Sequence, residues 1–288
     1  MQDNLYGLLL INIAKHANTN KGYTHVYVIV LRDMPNSKTR FLTAEWRNLV
    51  MLNYVVDPDI LKPHLPAFTE LDLWQGKCLV SMVGFMFRET RVLGIKWPWH
   101  VNFEEVNLRF YVRHFDGKHW KRGAVFISEI VPKPVIALIA NNLYNEHYRV
   151  LPMRHSVIKA GADQTQFLYE WKVKDRWNKI GATVANSLKP IVPGSAEEFI
   201  FEHYWGYNRI NNYKTVQYEV EHISWQVAEV RDYIFEADIT ELYGEAFVPY
   251  LSAKPYSAFW ANGSEVSVRI ANKLLFAPVV PDAAKNHL

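Results

Sequence analysis

A single cysteine, Cys78, in 288 residues excludes an internal disulfide and every site built on paired cysteines. Long apolar runs are also missing. Residues 8–13 are too few to span a bilayer, and Asp3 stands where a secretory leader would carry positive charge, so no membrane partner and a cytoplasmic location are expected. Charge of one sign is scarce: Lys plus Arg total 32 against 29 Asp plus Glu, a net of +3, too small an excess to argue for nucleic acid. GxGxxG, P-loop, GxSxG and HExxH sequences are absent, which removes the common phosphate-cradling, serine-elbow and zinc signatures. A Ser-His-Asp arrangement is recognised by geometry and has no positive support in the spacing. Eleven histidines are present, but His147, His155, His203 and His222 lack paired-ligand spacing, so neither a metal nor another cofactor is expected.

What is present is a dense hydrophobic pattern. Hydrophobic residues make up 49% and aromatic residues 14% of the chain, against 21% charged, which excludes disorder. The pattern starts at Phe41. Residues 1–40 are expected to be an N-terminal extension, either upstream of a true start at Met34 or contributing an edge strand at 23–31; residues 41–288 are expected to form a single domain. Within it, residues 46–56 form an apolar stretch stopped by Asp57-Pro58, a helix N-cap followed by proline, with a short helix over 58–64. Residues 77–87 are apolar on both faces, as in a strand buried from both sides. Residues 101–113 alternate, with Val106, Leu108, Phe110 and Val112 on one face and Glu105, Asn107, Arg109, Tyr111 and Arg113 on the other. Asp116-Gly117 predicts a hairpin into a strand over 123–130. Pro134 opens a helix with Val135, Ile139 and Leu143 on one stripe. Strands are expected over 167–173 and 216–227. Ser195 and Glu198 form a capping box for a helix over 196–204, and Asn262-Gly263 predicts a turn into a last strand over 265–270. The fold class expected is mainly β: a curved antiparallel sheet closing into a barrel or cone around a central cavity, with a few peripheral helices.

The polar face of residues 101–113 has two readings. In water, Glu105 and Arg109 are ordinary solvated residues in cross-strand charge pairs; inside a closed sheet, the same face lines a cavity and its charges bind a polar ligand.

Several blocks taken together carry a family resemblance. They are Glu45-Trp46-Arg47 through Leu65-Pro66, Asn107-Leu108-Arg109-Phe110-Tyr111-Val112, Leu151-Pro152-Met153, and Glu197-Glu198-Phe199 with His203-Tyr204-Trp205-Gly206-Tyr207. As a set they resemble the YqjF-like bacterial family of unknown function, which implies an acetoacetate decarboxylase-like fold. Similarity to those decarboxylases places their first arginine at Arg47, their first pocket glutamate near Val83, where no carboxylate stands, and their second at Glu105. It places Tyr148 and Arg149 where their lysine pair would be. Neither side chain forms an iminium, so Schiff-base decarboxylation is not expected. Lys133 stands before the helix and not after it, and is expected to be an ordinary loop lysine. The candidate ligand-binding residues are therefore Arg47, Glu105, Arg109, Tyr148 and Arg149, and the expected partner is a small carboxylate or other anion. Whether the cavity is catalytic or serves a regulatory or structural protein stays open, as does self-association.

Overall fold

Alternating apolar residues separated by turn signals become two packed sheets in the computed structural model, which describes residues 40–275 and the strands Gly7–Asn12 and Tyr27–Arg32. These two early strands pair with each other antiparallel; residues 23–26 of the strand expected over 23–31 lie outside the described residues. No described helix is long and apolar enough to cross a membrane.

The larger sheet contains β1 (Arg40–Val55), β2 (Leu79–Val92), β3 (Phe103–Phe115) and β4 (Trp120–Val131), followed by α1 (Pro134–Tyr144) and the short β5 (Tyr148–Val150). The smaller sheet takes the next three strands, β6 (Met153–Lys159), β7 (Gln164–Val173) and β8 (Arg176–Ala185). Then come α2 (Ala196–Phe201), β9 (Trp205–Asn211), β10 (Lys214–His222), β11 (Gln226–Ala228), β12 (Val230–Glu236), β13 (Ser257–Arg269) and β14 (Asn272–Leu275).

Strands β13, β1, β2, β3, β4, β9 and β10 lie side by side, and β10 pairs back onto β13 through Val220↔Val268 to His222↔Val266, so the sheet curls into a ring. The joints are antiparallel except β4 with β9, a short parallel contact at Trp205↔Gly123 and Gly206↔Ala124. Gly123 permits it: a Cβ there would collide with the Trp205 carbonyl.

The alternation of β3 is what divides the structure. Val106, Leu108 and Phe110 face outward and join Met82, Phe167, Tyr169, Trp171 and Ile180 in the core between the ring and the sheet β12–β8–β7–β6. Trp171 is fully buried there; burying a large apolar side chain contributes roughly 1.5–3 kcal/mol. The opposite faces of β2 and β3 point into the ring, where Val83, Phe85, Phe87, Phe103 and Tyr111 form a second core with Tyr144, Phe199, Ile200 and Tyr218.

Several local expectations are met. Asp57 Oδ1 accepts the Asp59 amide at 2.9 Å and caps a turn over Pro58–His64, which is a 3-10 helix with Pro63 inside it. Ser195 Oγ accepts the Glu198 amide at 3.2 Å. Others are corrected. The helix after Ser195 ends at Phe201, not at 204. The strand expected over 216–227 is broken between His222 and Gln226 into β10 and β11. Along α1 the buried stripe is Ile136, Ala137 and Tyr144, while Leu143 is exposed, because Tyr144 packs on Phe41 and Tyr218 across the end of the ring. Asn262-Gly263 is not a turn. Strand β13 runs through it in continuous register with β1, Ala261 opposite Leu49 and Gly263 opposite Arg47, and Gly263 (φ +78°) leaves room for the Trp46 carbonyl where a Cβ would stand.

Candidate functional site

The ring encloses a cavity of about 110 Å³, somewhat smaller than the roughly 150 Å³ that admits a benzene. Its wall is largely apolar, with Leu49, Val83, Phe85, Phe87 and Phe126 among the lining residues. Set into it are Glu105, Asn107, Arg109, Glu129, Glu146, Tyr148, His203 and Tyr218.

Each polar group is positioned by a different backbone device. Glu105, Asn107 and Arg109 come from the alternation of β3. Glu129 comes from a bulge: the pairing of β3 with β4 slips between Leu108 and Arg109, which oppose Ser128 and Phe126 and leave Ile127 unpaired. Ala124 and Phe126 therefore face the cavity at the strand period, and the extra residue returns Glu129, not Ser128, to the same side. Glu146 and Tyr148 enter through the end of α1. Asn145 adopts a left-handed conformation (φ +54°) as helix C-cap and its Nδ2 donates to the Arg209 carbonyl at 3.0 Å. The chain then returns as β5, with Tyr148 beside Glu129.

These side chains form one network. Asn107 Nδ2 donates to Glu105 Oε1 at 2.8 Å, and the Tyr148 hydroxyl donates to Glu105 Oε2 at 2.9 Å. The Tyr218 hydroxyl donates to Glu146 Oε1 at 2.6 Å. Glu129 and Glu146 lie close to each other, and Oε2 of each has no hydrogen-bond partner. Burial pushes the Glu105 carboxyl up to about 7, aided by the charge of Glu146 and opposed by Asn107, Tyr148 and Arg109. Burial, then the charges of Glu146 and Glu105, hold Glu129 well above the usual carboxylate range. Burial also raises Glu146 and keeps the Tyr148 and Tyr218 phenols protonated. At the other side, His203 Nε2 lies 3.3 Å from Asp72, which also receives Arg122 at 2.6 Å. Burial lowers His203 to about 4, so it is neutral at pH 7; with Nε2–H donating to Asp72, Nδ1 is an acceptor without a partner.

Arg109 is the cation of the lining. Its Nη2 meets the Ile200 carbonyl at 3.4 Å and the Met51 sulfur at 3.8 Å, and its guanidinium carbon lies 5.5 Å from the centre of the Tyr111 ring. It has no carboxylate within ion-pair distance among the described residues, and its Nε meets no acceptor.

The five residues singled out from sequence are thus divided. Glu105, Arg109 and Tyr148 share the cavity. Arg47 and Arg149 do not line it: Arg47 pairs with Glu45 at 2.9 Å and donates to the carbonyl of Gly263, its partner across β13, and Arg149 turns the other way to Glu241 at 4.0 Å. Strand alternation explains the second case, since Tyr148 and Arg149 are consecutive and face opposite sides. The cavity lining includes no lysine, and Val83 lies in it opposite Asn107. Glu129, Glu146, His203 and Tyr218 were missed; the only signal was their polarity among apolar neighbours.

The ring, its outer sheet and its inner cavity define an acetoacetate decarboxylase-like fold. An acetoacetate decarboxylase-like enzyme from Sphingomonas wittichii RW1 superposes with a TM-score of 0.57 at 12% identity, over 83% of this chain and 94% of that one. The enduracididine biosynthesis enzyme MppR, solved in complex with pyruvate, gives 0.52 at 16% identity, over 82% and 89%. The chain itself belongs to the DUF2071 family, described as an uncharacterized conserved protein, whose model matches residues 43–265. The Bacillus subtilis (strain 168) protein YqjF is 26% identical over 206 residues, which is 69% of this chain and 80% of that protein.

Proposed function

We propose that the cavity binds a small carboxylic acid and performs proton-transfer chemistry on it without a Schiff base. The observation that carries this reading is Arg109, a guanidinium set into a largely apolar wall with no carboxylate partner among the described residues and a free Nε–H. A charge held there without a counter-ion is unfavourable, and an entering carboxylate supplies the missing acceptors in a bidentate geometry that arginine is shaped for. Glu105 and Tyr148 stand in the same wall as the acid–base pair: a carboxyl poised at about 7 can take or give a proton at neutral pH. The imine route has no nucleophile, because the lining offers no lysine and Tyr148 occupies the place that similarity gives to the decarboxylase amine. The pyruvate held by MppR is a ligand of this size and charge on the same fold.

The test is calorimetric titration of pyruvate and propionate into the wild type and Arg109→Leu. Binding by the wild type and loss of at least tenfold in the variant is the expected result. Equal affinities, or no binding of either acid, would refute the assignment.

A further inference from the structure

The hydrogen-bonding groups of the cavity do not balance. Two donors, Arg109 Nε and Trp46 Nε1, lack an acceptor, while four acceptors, Asn107 Oδ1, Glu129 Oε2, Glu146 Oε2 and His203 Nδ1, have no hydrogen-bond partner. All of these residues line the cavity, and the four acceptor-bearing ones are more than nine-tenths buried. A buried acceptor left bare is costly. A simple carboxylate ligand brings more acceptors. It satisfies Arg109 and leaves the opposite wall as it was.

We propose that the ligand also carries a cationic donor, and that the cavity takes a small amino acid: its carboxylate on Arg109, its ammonium between Asn107 Oδ1 and the Glu129–Glu146 pair. This rests on the carboxylate reading of Arg109 and names the class of molecule bound there. The spacing suits it. Asn107, Glu129 and Tyr148 form one cross-strand row, and Arg109 stands two residues along the same face of β3, ~6.8 Å away. A molecule with ammonium and carboxylate a few ångström apart and a hydrogen bond at each end covers that separation. The charges suit it too. Glu105, Glu129 and Glu146 bring three carboxyl groups to this wall, and no group of three His, Cys, Asp or Glu among the described residues is arranged to hold a metal. An ammonium supplies three donors to a wall with unmet acceptors.

The experiment compares probes of matched size on the full chain at pH 7: L-alanine, β-alanine, propionate and propylamine, read by calorimetry. One of the two amino acids is expected to bind at least tenfold more tightly than either propionate or propylamine, and Glu146→Gln is expected to bring the ratio over propionate close to one. Propionate binding as tightly as both amino acids overturns this inference while leaving the carboxylate reading intact. Propylamine binding alone overturns both readings, as does a failure of all four probes. The wild-type panel decides the question even if the variant does not fold.

Discussion

Replacing Glu105 by glutamine should change how stability depends on pH more than it changes stability itself. The carboxyl is 2% exposed, and burial lifts it from an ordinary value near 4.5 to about 7. The folded protein therefore binds this proton more tightly than the unfolded chain does. Its stabilising contribution is fully present below about 4.5 and is lost as pH rises through about 7, where the folded state must hold a buried charge. At ~1.4 kcal/mol per pH unit, that interval is worth on the order of 3 kcal/mol. Glutamine imitates the protonated acid: its oxygen still accepts from Asn107, and its amide can donate to the Tyr148 oxygen, which the hydroxyl's rotation permits. Urea unfolding at pH 5 and pH 8 measures the effect. The two proteins should differ little at pH 5, and at pH 8 the variant should be the more stable by roughly 2–3 kcal/mol. The salt-bridged carboxylates Asp72, Glu104, Glu170 and Glu221, all held low, run in the opposite direction, but they are common to both proteins and cancel in the difference. Parallel stability curves across this range would refute the claim that Glu105 is a desolvated, protonatable group.

Tyr148→Lys should not create a Schiff-base enzyme: the new amine would lie against Glu105 and Glu129 and stay protonated, so borohydride with acetoacetate should leave the mass unchanged, and an adduct mapped to position 148 would overturn the reasoning. Gly84→Ala should cost about 1–3 kcal/mol, because its Cβ would approach Ile180 Cγ2 and Tyr169 Cδ2 at 2.8 Å each. A drop of several degrees in melting temperature is the expected reading, and an unchanged temperature would mean that the two sheets are less tightly joined than their core indicates. Arg109→Leu, which removes a cation lacking an ion-pair partner, should leave the unfolding free energy unchanged or raise it; a loss above about 2 kcal/mol in urea unfolding would show that the guanidinium holds the fold and not a ligand.

How much of this was legible beforehand depended on the range of the forces involved. Local patterns carried the strands. The alternation of residues 101–113 is a property of the extended backbone, so Val106, Leu108 and Phe110 had to face one layer and Glu105, Asn107 and Arg109 another. Asp57-Pro58 and Ser195 through Glu198 set their turns through hydrogen bonds made within a few residues, and Tyr148 was placed by resemblance to a decarboxylase lysine. Whether the polar face met water or a cavity was another matter. That depended on β10 reaching β13 across the ring, a pairing between segments more than forty residues apart, which no local pattern encodes. The bulge at Ile127 is of the same kind. Read at the strand period from Phe126, Ser128 faces inward and Glu129 outward; one unpaired residue, stabilised only by the strand beside it, reverses them and brings Glu129 to Glu146. Asn262-Gly263 likewise has the composition of a turn, but β1 alongside offers its hydrogen bonds to a continuing strand, and the pair stays inside β13 without a change of register. Sequence alone determined which residues alternate and where the chain turns, because those preferences are met within a few residues. The tertiary structure decided which face became the inside and which carboxylates meet there, because burial and pairing are properties of the assembled sheet.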